Sequence, residues 1–249
     1  MKDKVFVVIL FTLSIVITIC ILKRSFIEPL MDTVDILLLG DYVLGRPSNL
    51  GEISIEEEIK NDKKIKGCAN VIFHNIKNYT NKCDTISDFE TQIINIGKRK
   101  NLDKKTTYIF VSIGMNDIVN NYSVCEQQTD NKTDCLGIDE IYPKWEKEIK
   151  TLVDTYKKAN IVIISGHYFE KGHNVNHCGT KLNPTFRLNN KIDEFNKKLI
   201  YYTKNNTNLK FILLNKTLTL EDSIIDEISM NNTSKTKLIN YMIKKITCF

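Results

Sequence analysis

Three short stretches carry residue types that could do chemistry. Gly40-Asp41-Tyr42 closes an unbroken aliphatic run, Ile36 to Leu39. Gly114-Met115-Asn116-Asp117 closes a second run, Thr107–Ile113. Near the end stands Asp226-Glu227-Ile228-Ser229-Met230-Asn231. A hydroxyl presented where an apolar strand ends is where a hydrolase would hold a nucleophile, provided a base takes its proton. A carboxamide such as Asn116 could donate to a developing oxyanion. Tyr42 and Ser229 do not complete that chemistry. A phenol with a pKa of about 10 gives little phenolate at neutral pH, and Ser229 cannot act as a base near pH 7. The last histidine of the chain is His177, so no imidazole lies in or after the third stretch.

Other residues offer rival sites. His167, His173, His177 and Cys178 have a spacing that could ligate zinc; the simpler reading is a polar loop with one disulfide cysteine. Ser48 could be a displaced nucleophile, but no partner base is identifiable for it. His74 falls in a strand and reads as buried or edge-facing. Tyr79, Tyr122, Tyr142, Tyr168, Tyr201 and Tyr202 look exposed and could contribute to a binding face. No cofactor is called for, and no metal is assigned.

These residues need elements to position them. Val34–Gly40, Asn70–Asn75, Thr107–Ile113, Ile161–Ser165 and Leu209–Leu214 are short apolar runs of strand length. Between them, helices are expected over Glu52–Lys64, Ile86–Ile96, Asp139–Lys158, Pro184–Thr203 and Thr233–Ile246. Asp139–Lys158 is the strongest, with Ile141, Trp145, Ile149, Leu152, Val153 and Tyr156 on one stripe. Strands alternating with helices predict an α/β fold, a three-layer α/β/α sandwich around a five-stranded parallel sheet. Right-handed crossovers then put Asp41, Tyr42, Gly114, Asn116, Asp117 and His167 on one rim, at the carboxyl ends of the strands.

The order of elements and the rim motifs resemble the SGNH (GDSL-type) hydrolases over roughly residues 34–248. In that family the first strand ends in Gly-Asp-Ser, the third in Gly-x-Asn-Asp, and an Asp-x-x-His block precedes the last helix. The resemblance implies an SGNH-like fold and a site at Asp41, Tyr42, Gly114, Asn116, Asp117, Asp226 and Ser229. It also implies a degenerate member, because Tyr42 replaces the nucleophilic serine and Ser229 the catalytic histidine. The family's oxyanion glycine is not recognisable around Lys77–Asn78. Losing one member of such a triad already costs orders of magnitude in rate. The expectation is a non-catalytic binding ectodomain. The alternative is an active esterase or acetylesterase on carbohydrate or lipid, using a non-standard nucleophile or a metal.

Composition bounds the setting. The chain has 249 residues, 42% hydrophobic and 26% charged, with net charge +5. Lysine supplies almost all the positive charge, and no arginine-aromatic interleaving marks a nucleic-acid groove. Abundant Lys, Asn and Ile reflect AT-rich codons and would suit a large DNA virus or an AT-rich eukaryote. Val5–Leu22 is an uncharged run of about 18 residues, close to a bilayer span. Residues 1–24 are therefore expected to form a transmembrane signal anchor, 25–33 a linker and 34–249 the ectodomain. Cys68, Cys83, Cys125, Cys135, Cys178 and Cys248 suggest disulfides, with neighbours pairing in that order. Sequons begin at Asn78, Asn121, Asn131, Asn205, Asn215, Asn231 and Asn232. Together these predict a single-pass type II membrane glycoprotein, with its ectodomain luminal, extracellular or on a virion surface. Its partner would be a protein or a glycan.

Overall fold

Runs of β-branched and aliphatic residues that are buried on both faces can be satisfied only inside a sheet covered by helices. A computed structural model of the chain shows this arrangement. It describes residues 33–41, 43–44, 54–61, 72–81, 83–97, 100–127, 137–169, 175–178, 180–182, 186–214 and 232–246. The main sheet is built from β1 (Thr33–Gly40), β2 (Ile72–Asn78), β3 (Thr107–Ser112), β4 (Asn160–Ile164) and β7 (Leu209–Ile212). All neighbours are parallel, in the order β2-β1-β3-β4-β7. A short antiparallel hairpin, β5 (Val175–His177) with β6 (Thr180–Leu182), stands apart from it.

The helices are α1 (Ile55–Asn61), α2 (Ile86–Gly97), α3 (Met115–Gln127), α4 (Ile138–Thr155), α5 (Phe186–Lys204) and α6 (Asn232–Lys245). α1 packs with α6, while α2, α3, α4 and α5 form a second contiguous group. With right-handed crossovers this gives two helical layers around the sheet. Trp145 of α4 meets Phe195 and Tyr202 of α5 edge-on, with ring centroids 6.1 and 5.4 Å away. Every residue of β3 is buried.

Two elements depart from expectation. The Asn-rich segment after β3 forms α3, burying Ile118, Val119 and Tyr122. The polar loop expected after β4 contains the β5–β6 hairpin. β2 also ends three residues later than its apolar run, at Asn78. It is an edge strand, where polar residues are tolerated. Among the described residues no helix is long and apolar enough to cross a membrane; Val5–Leu22 lies outside them.

Candidate functional site

The carboxyl ends of β1 and β3 approach each other closely. Gly40 has φ +121°, and a Cβ there would lie 1.7 Å from the Ser112 carbonyl oxygen. Only glycine satisfies both conditions. Asp41 follows, fully buried, and its amide donates to Ser112 O at 2.7 Å. Asp41 Oδ2 accepts the Met115 amide at 3.1 Å, and Oδ1 accepts the Val43 amide at 3.4 Å. The first strand's rim is thereby tied to the start of α3. Burial pushes the Asp41 carboxyl up to about 8, against the lowering effect of these donors.

Asn116 is also buried. Its Nδ2 donates to the Asp84 carbonyl at 2.6 Å. Asp117 Oδ2 accepts the Ile86 amide at 3.0 Å, at the start of α2. Burial raises the Asp117 carboxyl above the usual carboxylate range. Gly114 has φ +106° and lies against the Phe195 ring, where a Cβ would come within 2.9 Å. The Gly-x-Asn-Asp turn therefore braces α2 and the loop before it.

Residues not anticipated from the sequence complete this frame. Gln92 of α2 accepts the Gly40 amide at 2.8 Å and donates to the Gly40 carbonyl at 3.0 Å. Gln92 Nε2 also donates to Asp84 Oδ2 at 2.6 Å. The connections close a ring: Gly40, Gln92, Asp84, Asn116, then Met115 back to Asp41. A second pair of clamps holds the segment after β4. Asn196 makes the same two-way pairing with Gly166, at 2.9 and 3.0 Å. Asn189 pairs likewise with Phe169, at 2.9 and 2.8 Å, and the Tyr168 hydroxyl donates to Asp193. The signal was present. Gln92, Asn189 and Asn196 interrupt or border the apolar stripes of amphipathic helices, where a buried carboxamide must find partners.

His167 is buried on the same rim, its ring 5.4 Å from that of Phe169. Burial lowers its pKa to about 4, so it is neutral at pH 7. Tyr42, Ser48, His173, Asp226, Ser229 and Asn231 lie outside the described residues. His74 is on β2 and His177 on β5.

No family model matches the sequence, and no curated protein matches it. Solved structures do match in shape. A member of the lipolytic G-D-S-L family from Veillonella parvula aligns with TM-score 0.58 and 16% identity, over 87% of this chain and all of that one. A lipase/acylhydrolase from Enterococcus faecalis gives 0.56 and 15%, over 86% and 95%. An acetylxylan esterase from Geobacillus stearothermophilus gives 0.57 and 15%, over 88% and 98%. The fold is that of the SGNH hydrolases. Asp41, Gly114, Asn116, Asp117 and His167 stand just beyond the carboxyl ends of β1, β3 and β4.

Several expectations are corrected. Cys83 is bonded to Cys178, with Cα atoms 5.6 Å apart and 95 residues between them in sequence. This overturns the pairings Cys68–Cys83 and Cys178–Cys248. The loops after β2 and β4 leave the same edge of the parallel sheet, which brings distant cysteines together. The bond also removes Cys178 from the metal-ligand set; among the described residues no His/Cys/Asp/Glu group is placed to hold a metal ion. Cys125 stands on α3, while Cys68, Cys135 and Cys248 lie outside the described residues. Asn78 is buried. Its Nδ2 donates to Leu44 O at 3.1 Å, and its Oδ1 accepts from the Thr80 amide and hydroxyl. In the folded chain its side chain braces the loop after β2. Of the tyrosines expected to be exposed, Tyr201 is 71% exposed, Tyr122 is buried, and Tyr79, Tyr142, Tyr168 and Tyr202 pack against the core.

Proposed function

We propose that this chain is a catalytically degenerate SGNH-fold protein that acts by binding, with its ectodomain tethered to a membrane by Val5–Leu22. One observation carries the reading. The polar residues kept at the rim each bond to main chain: Asp41 to Met115 and Val43, Asn116 to Asp84, Asp117 to Ile86. Such bonds explain their presence without a reaction. Beside them, Tyr42 and Ser229 stand where the family pattern has a nucleophile and a base. The rim then offers a braced surface to a protein or a glycan. The apolar run, the Cys83–Cys178 bond and the exposed sequons at Asn205 and Asn232 support a single-pass type II arrangement in an oxidising compartment.

A second reading, an ester hydrolase acting on carbohydrate or lipid, is favoured by His167. It is a neutral imidazole on the same rim. The two readings separate by restoration. The full chain carrying Tyr42→Ser and Ser229→His is assayed on an aryl acetate. Under the degenerate reading, hydrolysis appears in the double variant and is absent from the natural chain. Under the second, the natural chain turns over and His167→Gln abolishes it. Resistance to alkaline extraction from membranes tests the tether.

A further inference from the structure

The turn after α5 gives its two asparagines different work. Asn206 Nδ2 donates to the Tyr202 carbonyl at 2.8 Å and its amide to the Thr203 carbonyl at 3.3 Å, which satisfies the end of the helix. The Asn205 amide donates to the Tyr201 carbonyl at 3.2 Å, and Asn205 itself is exposed, as is Thr207. The Leu209 amide donates to the Asn206 carbonyl at 3.0 Å and fixes the turn from its far side. Asn205-Asn206-Thr207 is thus a sequon whose asparagine and threonine are both exposed on an ordered turn.

Tyr201, at 71%, is the most exposed large apolar side chain among the described residues. It stands one helical turn before Asn205. Residues four apart share a helix face, and helical side chains lean toward the amino end of the helix. A group carried by Asn205 therefore extends back over Tyr201. The seam between α4 and α5 continues this aromatic surface. Tyr142 and Tyr202 are half-buried there, and both rings rest on buried Trp145, with centroids 5.8 and 5.4 Å away. Lys198 Nζ lies 5.3 Å from the centre of the Tyr142 ring and 2.8 Å from Asp139. Burial, then the neighbouring Glu146, Tyr202 and Tyr201, pushes the Tyr142 phenol up to about 12. At neutral pH it keeps its proton, and with Lys198 it offers donors to hydroxyl oxygens.

We infer that Tyr201, with Tyr142 beside it, is the docking site of an N-linked glycan carried on Asn205 of the same chain. The inference rests on the secretory reading proposed above. In the modification, the Asn205 carboxamide nitrogen loses a proton and takes the anomeric carbon from a lipid-pyrophosphate-linked oligosaccharide, and the lipid pyrophosphate leaves. The apolar C–H face of the first N-acetylhexosamine packs on the Tyr201 ring, whose body is apolar and whose hydroxyl stays wet. The covalent link makes the encounter intramolecular, so a contact that would be weak between free partners is populated. The docked glycan covers the exposed ring. Its attachment point follows α5 and precedes β7, so it lies at the amino edge of the sheet, away from the rim. The rim stays open to its partner.

The test expresses the full chain in a secretory host, maps its glycopeptides, and compares it with Asn205→Gln by hydroxyl-radical footprinting. Docking predicts several-fold slower oxidation of Tyr201 in the chain glycosylated at Asn205. Tyr241 on α6, 38% exposed, oxidises equally in both. Trimming the glycan to its first sugar keeps the protection. Shielding by bulk alone would lose it on trimming, and that result overturns the contact. Urea unfolding gives a second measurement. The midpoint gained by the Asn205 glycan over Asn205→Gln disappears in a Tyr201→Ala background. Equal oxidation of Tyr201 with and without the glycan overturns the inference, as does a midpoint gain that Tyr201→Ala leaves unchanged. If the chain's own N-terminus does not take it into the pathway, the secretory reading has failed. The full chain behind an added signal peptide then supplies the glycosylated form, and the same comparison decides the docking separately. A sequon at Asn205 that stays bare there also overturns the inference.

Discussion

Gln92 and Gly40, 52 residues apart, make a two-way hydrogen-bonded pair across the rim, at 2.8 and 3.0 Å. The pair joins α2 to the end of β1 and stands at the centre of the ring through Asp84, Asn116 and Asp41. The same device recurs at Asn196 with Gly166 and at Asn189 with Phe169. Carboxamides suit it because one group donates and accepts in a fixed plane.

Gln92→Met keeps the volume of the side chain and removes both bonds, leaving the Gly40 amide and carbonyl unsatisfied in a buried site. A loss of about 2–4 kcal/mol is expected in urea unfolding. Asn196→Leu should cost a similar amount through Gly166. A surface change such as Lys147→Gln should stay within about 0.5 kcal/mol.

Acidity of the buried groups predicts a pH profile. The folded chain keeps the Asp41 proton up to about 8, whereas the unfolded chain releases it near 3.8. Its contribution is full below the unfolded pKa and is lost as pH rises through the folded one. His167 has the opposite sign. It binds a proton in the unfolded chain below about 6.5 and in the folded chain only below about 4, so stability rises with pH across that window. The two slopes oppose each other between about pH 4 and 6.5. Above that, the Asp41 slope remains and stability falls toward pH 8. Asp41→Asn should flatten the upper limb, and His167→Gln should expose the falling limb at lower pH. Denaturant midpoints measured across the range check both.

The Cys83–Cys178 bond closes a long loop, so its removal should cost about 2–4 kcal/mol. Cys83→Ser and Cys178→Ser should be equally destabilising, and the double variant no worse than either. Non-reducing peptide mapping should recover the Cys83 peptide joined to the Cys178 peptide.

Expression through a secretory pathway should distinguish the sequons. Asn205 is exposed after α5, whereas both polar atoms of Asn78 are bonded inside the fold. Glycopeptide mass spectrometry should find Asn205 modified and Asn78 bare.

The sheet was legible because buried parallel strands are unbroken apolar runs. β1, β3 and β4 lie within one residue of their sequence-predicted bounds at every end. α4 and α5 were legible from their stripes. The helix α3 was not, because Asn116, Asp117, Asn120 and Asn121 weaken helix propensity and break the apolar stripe that Ile118, Val119 and Tyr122 form. Asp41, Asn116 and Asp117 were found as motif letters, but their partners were not. Gln92, Asp84 and Asn196 come from distant segments that only the topology brings to the rim. The Cys83–Cys178 pairing was hidden for the same reason.

The central claim is that the rim keeps a hydrolase's frame without its reaction. The most direct measurement is turnover of an aryl acetate by the full natural chain, with and without a chelator, beside Tyr42→Phe. The account predicts rates equal to the uncatalysed background in all three. Turnover above background that Tyr42→Phe or the chelator abolishes would contradict it.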